Sequence, residues 1–140
     1  MTLDYESFLS DEEHAIVSSS FIYTVLVPDL LHPAKYFDRK GNPITEIAWS
    51  ILYQKPKYRV VKKETIGKWL IKTIWLGMDH NYSIEEGEKP IVFETQVSWT
   101  NEEALDYPGK TFRYHTEREA LNGHNKIKNA ILEKDTDVLR

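Results

Sequence analysis

The chain has 140 residues, of which 41% are hydrophobic, and it carries no cysteine and a formal net charge of −4. A chain of this length forms one domain and buries roughly 68 to 70% of the surface that its unfolded state exposes. The lack of cysteine excludes disulfides, thiolate zinc sites and cysteine nucleophiles. The negative charge argues against nucleic acid as the main partner, because nonspecific binding relies on many Lys and Arg contacts to phosphate.

The N-terminal region begins with acidic residues and continues into an apolar segment. Residues 1–13 hold five carboxylates and few apolar side chains, which is typical of a flexible tail. The segment "HAIVSSSFIYTVLV" is rich in β-branched and aromatic residues and predicts a strand. The acidic start lacks the basic region of a signal peptide, and "FIYTVLVPDLL" has 11 residues where a membrane span needs about 20. We therefore expect a single domain over residues 1–140, a cytoplasmic location and no membrane partner.

A turn and a short helix come next. "FDRKGNPIT" clusters glycine, asparagine and proline, which favours a tight turn. Thr45 then stands where its hydroxyl can cap a helix over "EIAWSILYQ", and Pro56 ends that helix.

From Tyr58 onward the apolar residues recur at every second position, which predicts strands. "YRVVKKE" and "KWLIKTIWL" flank a bend with a glycine and predict a hairpin. The second run is apolar on both faces, as in a central strand, and "PIVFETQVSW" and "KTFRYH" predict two further strands. Glu94 lies in mid-strand, where glutamate is disfavoured, so it needs a cation such as Lys72 or Arg113, or a ligand.

The clearest local signal is near the C-terminus, where Thr116 and Glu119 have the spacing of a capping box. A helix should begin at Thr116, and Gly123 within it indicates close approach to another backbone. The apolar stripe that would lie on the sheet comprises Ala120, His124, Ile127 and Ile131.

These elements predict an α+β domain. It has a mainly antiparallel twisted sheet of about four to five strands, a short helix before it, and a long C-terminal helix packed on one face.

Four ordered blocks, "YFDRKGNPIT", "TIWLGMDHNY", "PIVFETQVSW" and "RYHTEREALNGH", resemble a group of small phage- and prophage-encoded proteins of uncharacterised function. The resemblance covers about residues 36–125 and leaves residues 1–35 outside it. It implies a phage origin and expression in an infected bacterium, and it implies no particular chemistry.

The polar residues of the matching blocks are the candidate ligand-binding residues. Asp79 and His80 follow the apolar run, and either a site or a polar turn would account for them. A lone histidine in an apolar stripe is more often a hydrogen-bonded core residue than a ligand. The spacings match no metal or nucleophile motif. The candidates are Asp79, His80, Glu94, Tyr114 and His124.

We therefore expect an accessory binding protein, active in host interaction or counter-defence, that engages a host protein or small ligand in the infected bacterial cytoplasm. The sequence indicates no cofactor and leaves the oligomeric state open. Two alternatives stay open: a minor virion component, and a metal-assisted hydrolase using Asp79, His80, Glu94 and His124, whose carboxylates and imidazoles suit a divalent ion.

Overall fold

The structure is a computed structural model that describes residues 8–26, 35–81, 87–99, 109–135 and 139. Its centre is an antiparallel four-stranded sheet in which neighbouring strands follow the order of the chain. The fold is α+β, as the sequence predicts. The four strands are β3 (Val60–Ile66), β4 (Trp69–Trp75), β5 (Phe93–Trp99) and β6 (Thr111–Tyr114). A smaller hairpin pairs β1 (Tyr36–Phe37) with β2 (Pro43–Ile44).

Two helices confirm their sequence signals. In α2 (Glu46–Tyr53) the hydroxyl of Thr45 accepts the N–H of Ala48, and α3 (Pro56–Arg59) follows directly. In α4 (Glu117–Leu132) the hydroxyl of Thr116 accepts the N–H of Glu119. The Glu119 carboxylate in turn accepts the N–H of His115, one residue before the cap. The predicted stripe of Ala120, His124, Ile127 and Ile131 is buried.

The predicted strand over "HAIVSSSFIYTVLV" is wrong, because its residues 14–26 belong to helix α1 (Asp11–Leu26), while Val27 lies outside the described residues. Ser10 and Glu13 form a capping box: each side chain accepts the other's backbone N–H, at 3.2 and 3.0 Å. Three acidic residues in the first turn favour the helix N-terminus as well. These terminal interactions, together with burial of Val17 in the core, outweigh the strand preference of the β-branched residues.

The predicted flexible tail is also wrong for residues 8–13, whereas residues 1–7 lie outside the described residues. The Phe8 ring contacts the Tyr58 ring edge to face, with centroids 5.7 Å apart. Glu13 forms an ion pair with Lys55 at 3.0 Å. The tail was predicted from the acidic composition of residues 1–13 as a whole. That composition gives little weight to Phe8 and Leu9, the two apolar residues that pack against the core.

All four helices pack on or beside one face of the sheet. Helix α4 crosses β3, β4, β5 and β6, and α1 packs on α2 and β2. One part of the core centres on Trp75, Phe93 and Leu52, and the other on Ile71, Val97 and Ile127. No helix among the described residues is long and apolar enough to cross a membrane.

We expect Thr116→Ala to lower the free energy of unfolding by about 1 kcal/mol, because it removes the side-chain cap of α4. Urea denaturation measures this loss. Arg118→Ala is the matched control, because Arg118 is exposed in the first turn of the same helix and takes no part in the cap. An equal loss in both variants would mean that the cap does not stabilise the helix.

Candidate functional site

Asp79 and His80 form a turn that joins the end of β4 to the start of β5. One oxygen of the Asp79 carboxylate accepts the backbone N–H groups of Asn81 and Ile91, at 2.8 and 2.9 Å. The Nδ1 atom of His80 lies 2.7 Å from the carbonyl of Met78. The backbone of His80 also donates to the carbonyl of Ile91. These contacts are those of a polar turn, the second of the two interpretations that the sequence allows.

We expect Asp79→Ala to destabilise the protein by about 2 kcal/mol, because two partly buried amides lose a charged acceptor. Asp79→Asn should cost much less, since its side-chain oxygen can still accept both N–H groups. Urea denaturation of the two variants checks this difference. Equal stability of Asp79→Ala and the wild type would show that the turn does not depend on this carboxylate.

Glu94 is buried and forms an ion pair with a residue of the neighbouring strand. A buried carboxylate needs such a partner to remain charged. The Glu94 carboxylate lies 3.1 Å from Nε of Arg113 and accepts a hydrogen bond from the Gln96 amide at 2.9 Å. Arg113 is the directly opposed residue on β6, and it is one of the two cations that the sequence offers. Glu94 therefore already has protein partners on its face of the sheet.

A buried hydrogen-bonded network lies on the other face, under α4, and begins at Glu64 of β3. The Glu64 carboxylate contacts Nζ of Lys128 at 2.8 Å, Nε2 of His124 at 2.9 Å and Nζ of Lys62 at 3.3 Å. The Lys128 ammonium, opposed by partial burial and aided by His124 and Lys62, lowers the Glu64 pKa to about 2. Burial lowers the His124 pKa, with Glu64 opposing. At neutral pH an ionised glutamate therefore faces a neutral imidazole.

This ionisation fixes the direction of every hydrogen bond further along the network. Because Nε2–H of His124 donates to the carboxylate, Nδ1 has no proton and accepts from the Thr73 hydroxyl at 2.7 Å. Thr73 then accepts from the Thr95 hydroxyl at 2.6 Å. Burial raises the pKa of the nearby Tyr114 phenol, and its interaction with the Thr95 side chain opposes this rise. The network thus runs in one direction from Thr95 to Glu64.

The order threonine, histidine, glutamate matches that of a catalytic triad, but burial separates it from any substrate. Thr73, Thr95 and His124 each have 0% of their surface exposed. A nucleophile must reach the reacting atom of its substrate, and these hydroxyls are enclosed by sheet and helix. The network therefore acts as internal structure. Tyr114, which interacts with Thr95, lines a surface concavity.

We expect the stability of the protein to fall in two stages on acidification. The His124 pKa is lower in the folded state, so stability present above pH 6.5 begins to be lost below it, as the unfolded histidine gains a proton. The Glu64 pKa falls from 4.5 to about 2 on folding, so its contribution is lost between these values. Urea denaturation from pH 8 to about pH 2 measures both stages, and Glu64→Gln should flatten the lower one. A parallel pH dependence in wild type and variant would contradict this assignment.

The concavity is a groove between β6 and α4, which we call the β6–α4 groove. Its volume is about 460 Å³, and mostly apolar surface lines it. Phe112 and Tyr114 form its strand side. Its helix side comprises Glu119, Asn122, Gly123, Lys126 and Ile127.

Gly123 explains the shape of the groove. A Cβ atom at this position would lie 2.2 Å from the Tyr114 hydroxyl, so only glycine lets the ring lie against the helix. The sequence correctly indicates a close approach at Gly123, but the partner is the Tyr114 side chain and not a backbone. This contact with the helix makes the ring one wall of the groove.

The candidate residues from the sequence therefore do not gather at one place. His124 belongs to the buried network and Tyr114 lines the groove beside it, whereas Glu94 lies on the opposite face from Thr95 and His124. The side chains proposed for a metal-assisted hydrolase thus do not converge on one ion, as metal binding requires. Among the described residues, no group of three or more His, Asp or Glu side chains is placed to hold a metal.

Sequence reasoning missed Thr73, Thr95 and Glu64, which complete the network. A signal for two of them is present in the strands. Thr73 and Thr95 occupy inward positions between large apolar residues, and their register places them directly opposite each other. Polar residues at such positions require partners, and His124 in the facing stripe is a polar residue with the same requirement.

Comparison of the chain with protein-family models, with curated proteins and with solved structures gives no match.

Proposed function

We propose that the chain is a phage-encoded accessory binding protein that acts in the cytoplasm of an infected bacterium, engaging a host protein or small ligand through the β6–α4 groove. The phage origin rests on the resemblance of the four ordered sequence blocks. The observation that carries the binding role is the preorganised groove wall, Tyr114, whose ring is held against Gly123 of α4.

Preorganisation favours binding because a rigid wall loses little conformational entropy when a ligand docks. The groove combines an apolar lining with a few polar groups at its rim, as ligand sites commonly do. The polar residues that would serve catalysis instead have structural partners: Asp79 holds a turn and Glu94 pairs with Arg113. This distribution supports binding over a metal-assisted hydrolase.

The test is a capture experiment with the tagged full-length chain, purified from phage-infected bacteria and analysed by mass spectrometry for proteins and small molecules. Asn122→Trp places a large ring in the groove from its helix side. Asn129→Trp is the matched control, because Asn129 is exposed on the same helix and does not line the groove. Thermal denaturation establishes that both variants are folded.

We expect a partner to co-purify equally with the wild type and Asn129→Trp, and at least about tenfold less with Asn122→Trp, a loss of about 1.4 kcal/mol. Undiminished capture by folded Asn122→Trp would overturn the groove as the binding site. Equal recovery of all three chains in purified phage particles, without a host partner, would instead indicate a minor virion component.

A further inference from the structure

The outer edge of β6 presents backbone groups to the solvent beside the groove. The N–H of Val97 bonds the carbonyl of Lys110 at 3.0 Å. Hydrogen-bonded pairs alternate along an antiparallel ladder, so Phe112 and Tyr114 also direct their backbone groups toward β5. The N–H and C=O groups of Thr111 and Arg113 therefore point outward, where no further strand of the described chain pairs with them.

The side chains of β6 alternate between the groove and the opposite face of the sheet. Phe112 and Tyr114 project from alternate positions of β6 into the groove, while Thr111 and Arg113 lie on the other face. A strand added to β6 would likewise direct every second side chain toward the groove. The spacing of the two rings thus suits an extended chain better than a compact ligand.

The groove has two lysines at its Phe112 end and the carboxylate of Glu119 at its Tyr114 end. Phe112 packs in the cluster of Ile127, whereas Tyr114 meets Gly123, so α4 runs antiparallel to β6. Lys126 therefore lies at the Phe112 end, and the ammonium of Lys110 lies there too, 5.5 Å from the centre of the Phe112 ring. No carboxylate of the described residues forms an ion pair with Lys126.

We propose that the β6–α4 groove binds an extended acidic segment of a partner protein, which adds a strand to β6 and places a carboxylate beside Lys126 and Lys110. Backbone hydrogen bonds to Thr111 and Arg113 supply the register. Apolar side chains of the segment cover Phe112 and Tyr114. Strand addition at a sheet edge beside a helix uses main-chain hydrogen bonds for affinity and side-chain pockets for specificity.

This inference rests on the proposed function and names the partner class of the same groove. The probe is a blocked synthetic peptide of about six residues, the usual length of a strand, in which the alternate residues that face the groove are two valines and one terminal glutamate and the other positions are threonine. It is titrated into the ¹⁵N-labelled full-length protein and followed by amide chemical shifts. Two comparison peptides replace glutamate with lysine, or carry methyl groups on every second backbone nitrogen.

We expect the acidic peptide to shift the amides of Thr111 and Arg113 saturably. The lysine peptide and the N-methylated peptide should each bind at least about tenfold more weakly, because one reverses the charge and the other lacks the ladder donors. Lys126→Glu should reverse the preference between the acidic and the lysine peptide. Lys63 is an exposed lysine on β3 outside the groove, so Lys63→Glu should leave the preference for the acidic peptide unchanged.

If the N-methylated peptide binds as tightly as the acidic peptide, strand addition is overturned. If Lys126→Glu still prefers the acidic peptide over the lysine peptide, the placement of a carboxylate beside Lys126 is overturned. Shifts of Thr111 and Arg113 that depend on protein concentration alone would assign the edge to a second copy of the chain, and also overturn the proposal. If no peptide binds at about 1 mM while Asn122→Trp still abolishes capture, the inference fails and the proposed function stands.

Discussion

His124→Ala is expected to lower the free energy of unfolding by about 3 kcal/mol, because it empties a fully buried site and removes two hydrogen bonds together. Truncation leaves a cavity between α4 and the sheet. It also takes from Thr73 its acceptor and from the Glu64 carboxylate one of its donors. Urea denaturation at pH 7 measures the loss.

The double variant His124→Leu with Thr73→Val separates the polar effect from the cavity. Replacing both partners of a buried hydrogen bond by apolar groups of similar shape costs far less than removing one of them. We therefore expect the double variant to be more stable than His124→Ala. Two results together would show that the network does not stabilise the protein. One is a loss below about 1 kcal/mol in His124→Ala, and the other is a double variant that is no more stable than His124→Ala.

Gly77→Ala is expected to destabilise the protein by about 3 kcal/mol. Gly77 has a φ angle of +72°, which an L-residue adopts at a cost of roughly 1 to 2 kcal/mol. Its Cβ atom would lie 2.4 Å from carbons of both Trp49 and Trp75, which adds an overpacking cost of about 1 to 3 kcal/mol. The indoles cannot easily yield, because their N–H groups donate to Leu76 and Phe37.

Gly67→Ala is the matched control for the backbone term. Gly67 also has a positive φ angle, +58°, but nothing lies within 4 Å of its added Cβ. We expect it to cost about 1 kcal/mol in urea denaturation, so the difference between the two variants isolates the contact with the tryptophans. Equal losses would show that the rings move aside without cost.

The sequence predicted the sheet and α4 because their signals are local. A period of two defines the strands, and the cap at Thr116 agrees in phase with the stripe of α4. Helix α1 was missed because β-branched residues outweighed the short capping box of Ser10 and Glu13, although that box is visible in the sequence. The prediction for residues 8–13 was wrong because it used the average composition of the segment, in which the single aromatic residue Phe8 has little weight. The contact of Phe8 with Tyr58 is tertiary, so no local pattern indicates it.

The candidate site was less predictable because its geometry depends on which faces meet. Glu94 and Thr95 are adjacent in sequence but lie on opposite faces, and only the pairing of β4 with β5 joins Thr95 to Thr73. The groove itself follows from the packing of α4 beside β6, which no local pattern describes. Gly123 was the one residue in the sequence that indicated this contact.

The proposed ligand site is the β6–α4 groove and not the turn of Asp79 and His80. The most direct test is capture from phage-infected bacteria by two folded variants, Asn122→Trp in the groove and His80→Ala in the turn. We expect Asn122→Trp to lose at least about nine-tenths of the co-purifying partner, a factor of ten, and His80→Ala to retain it. Loss of the partner by His80→Ala, with full retention by Asn122→Trp, would contradict the claim.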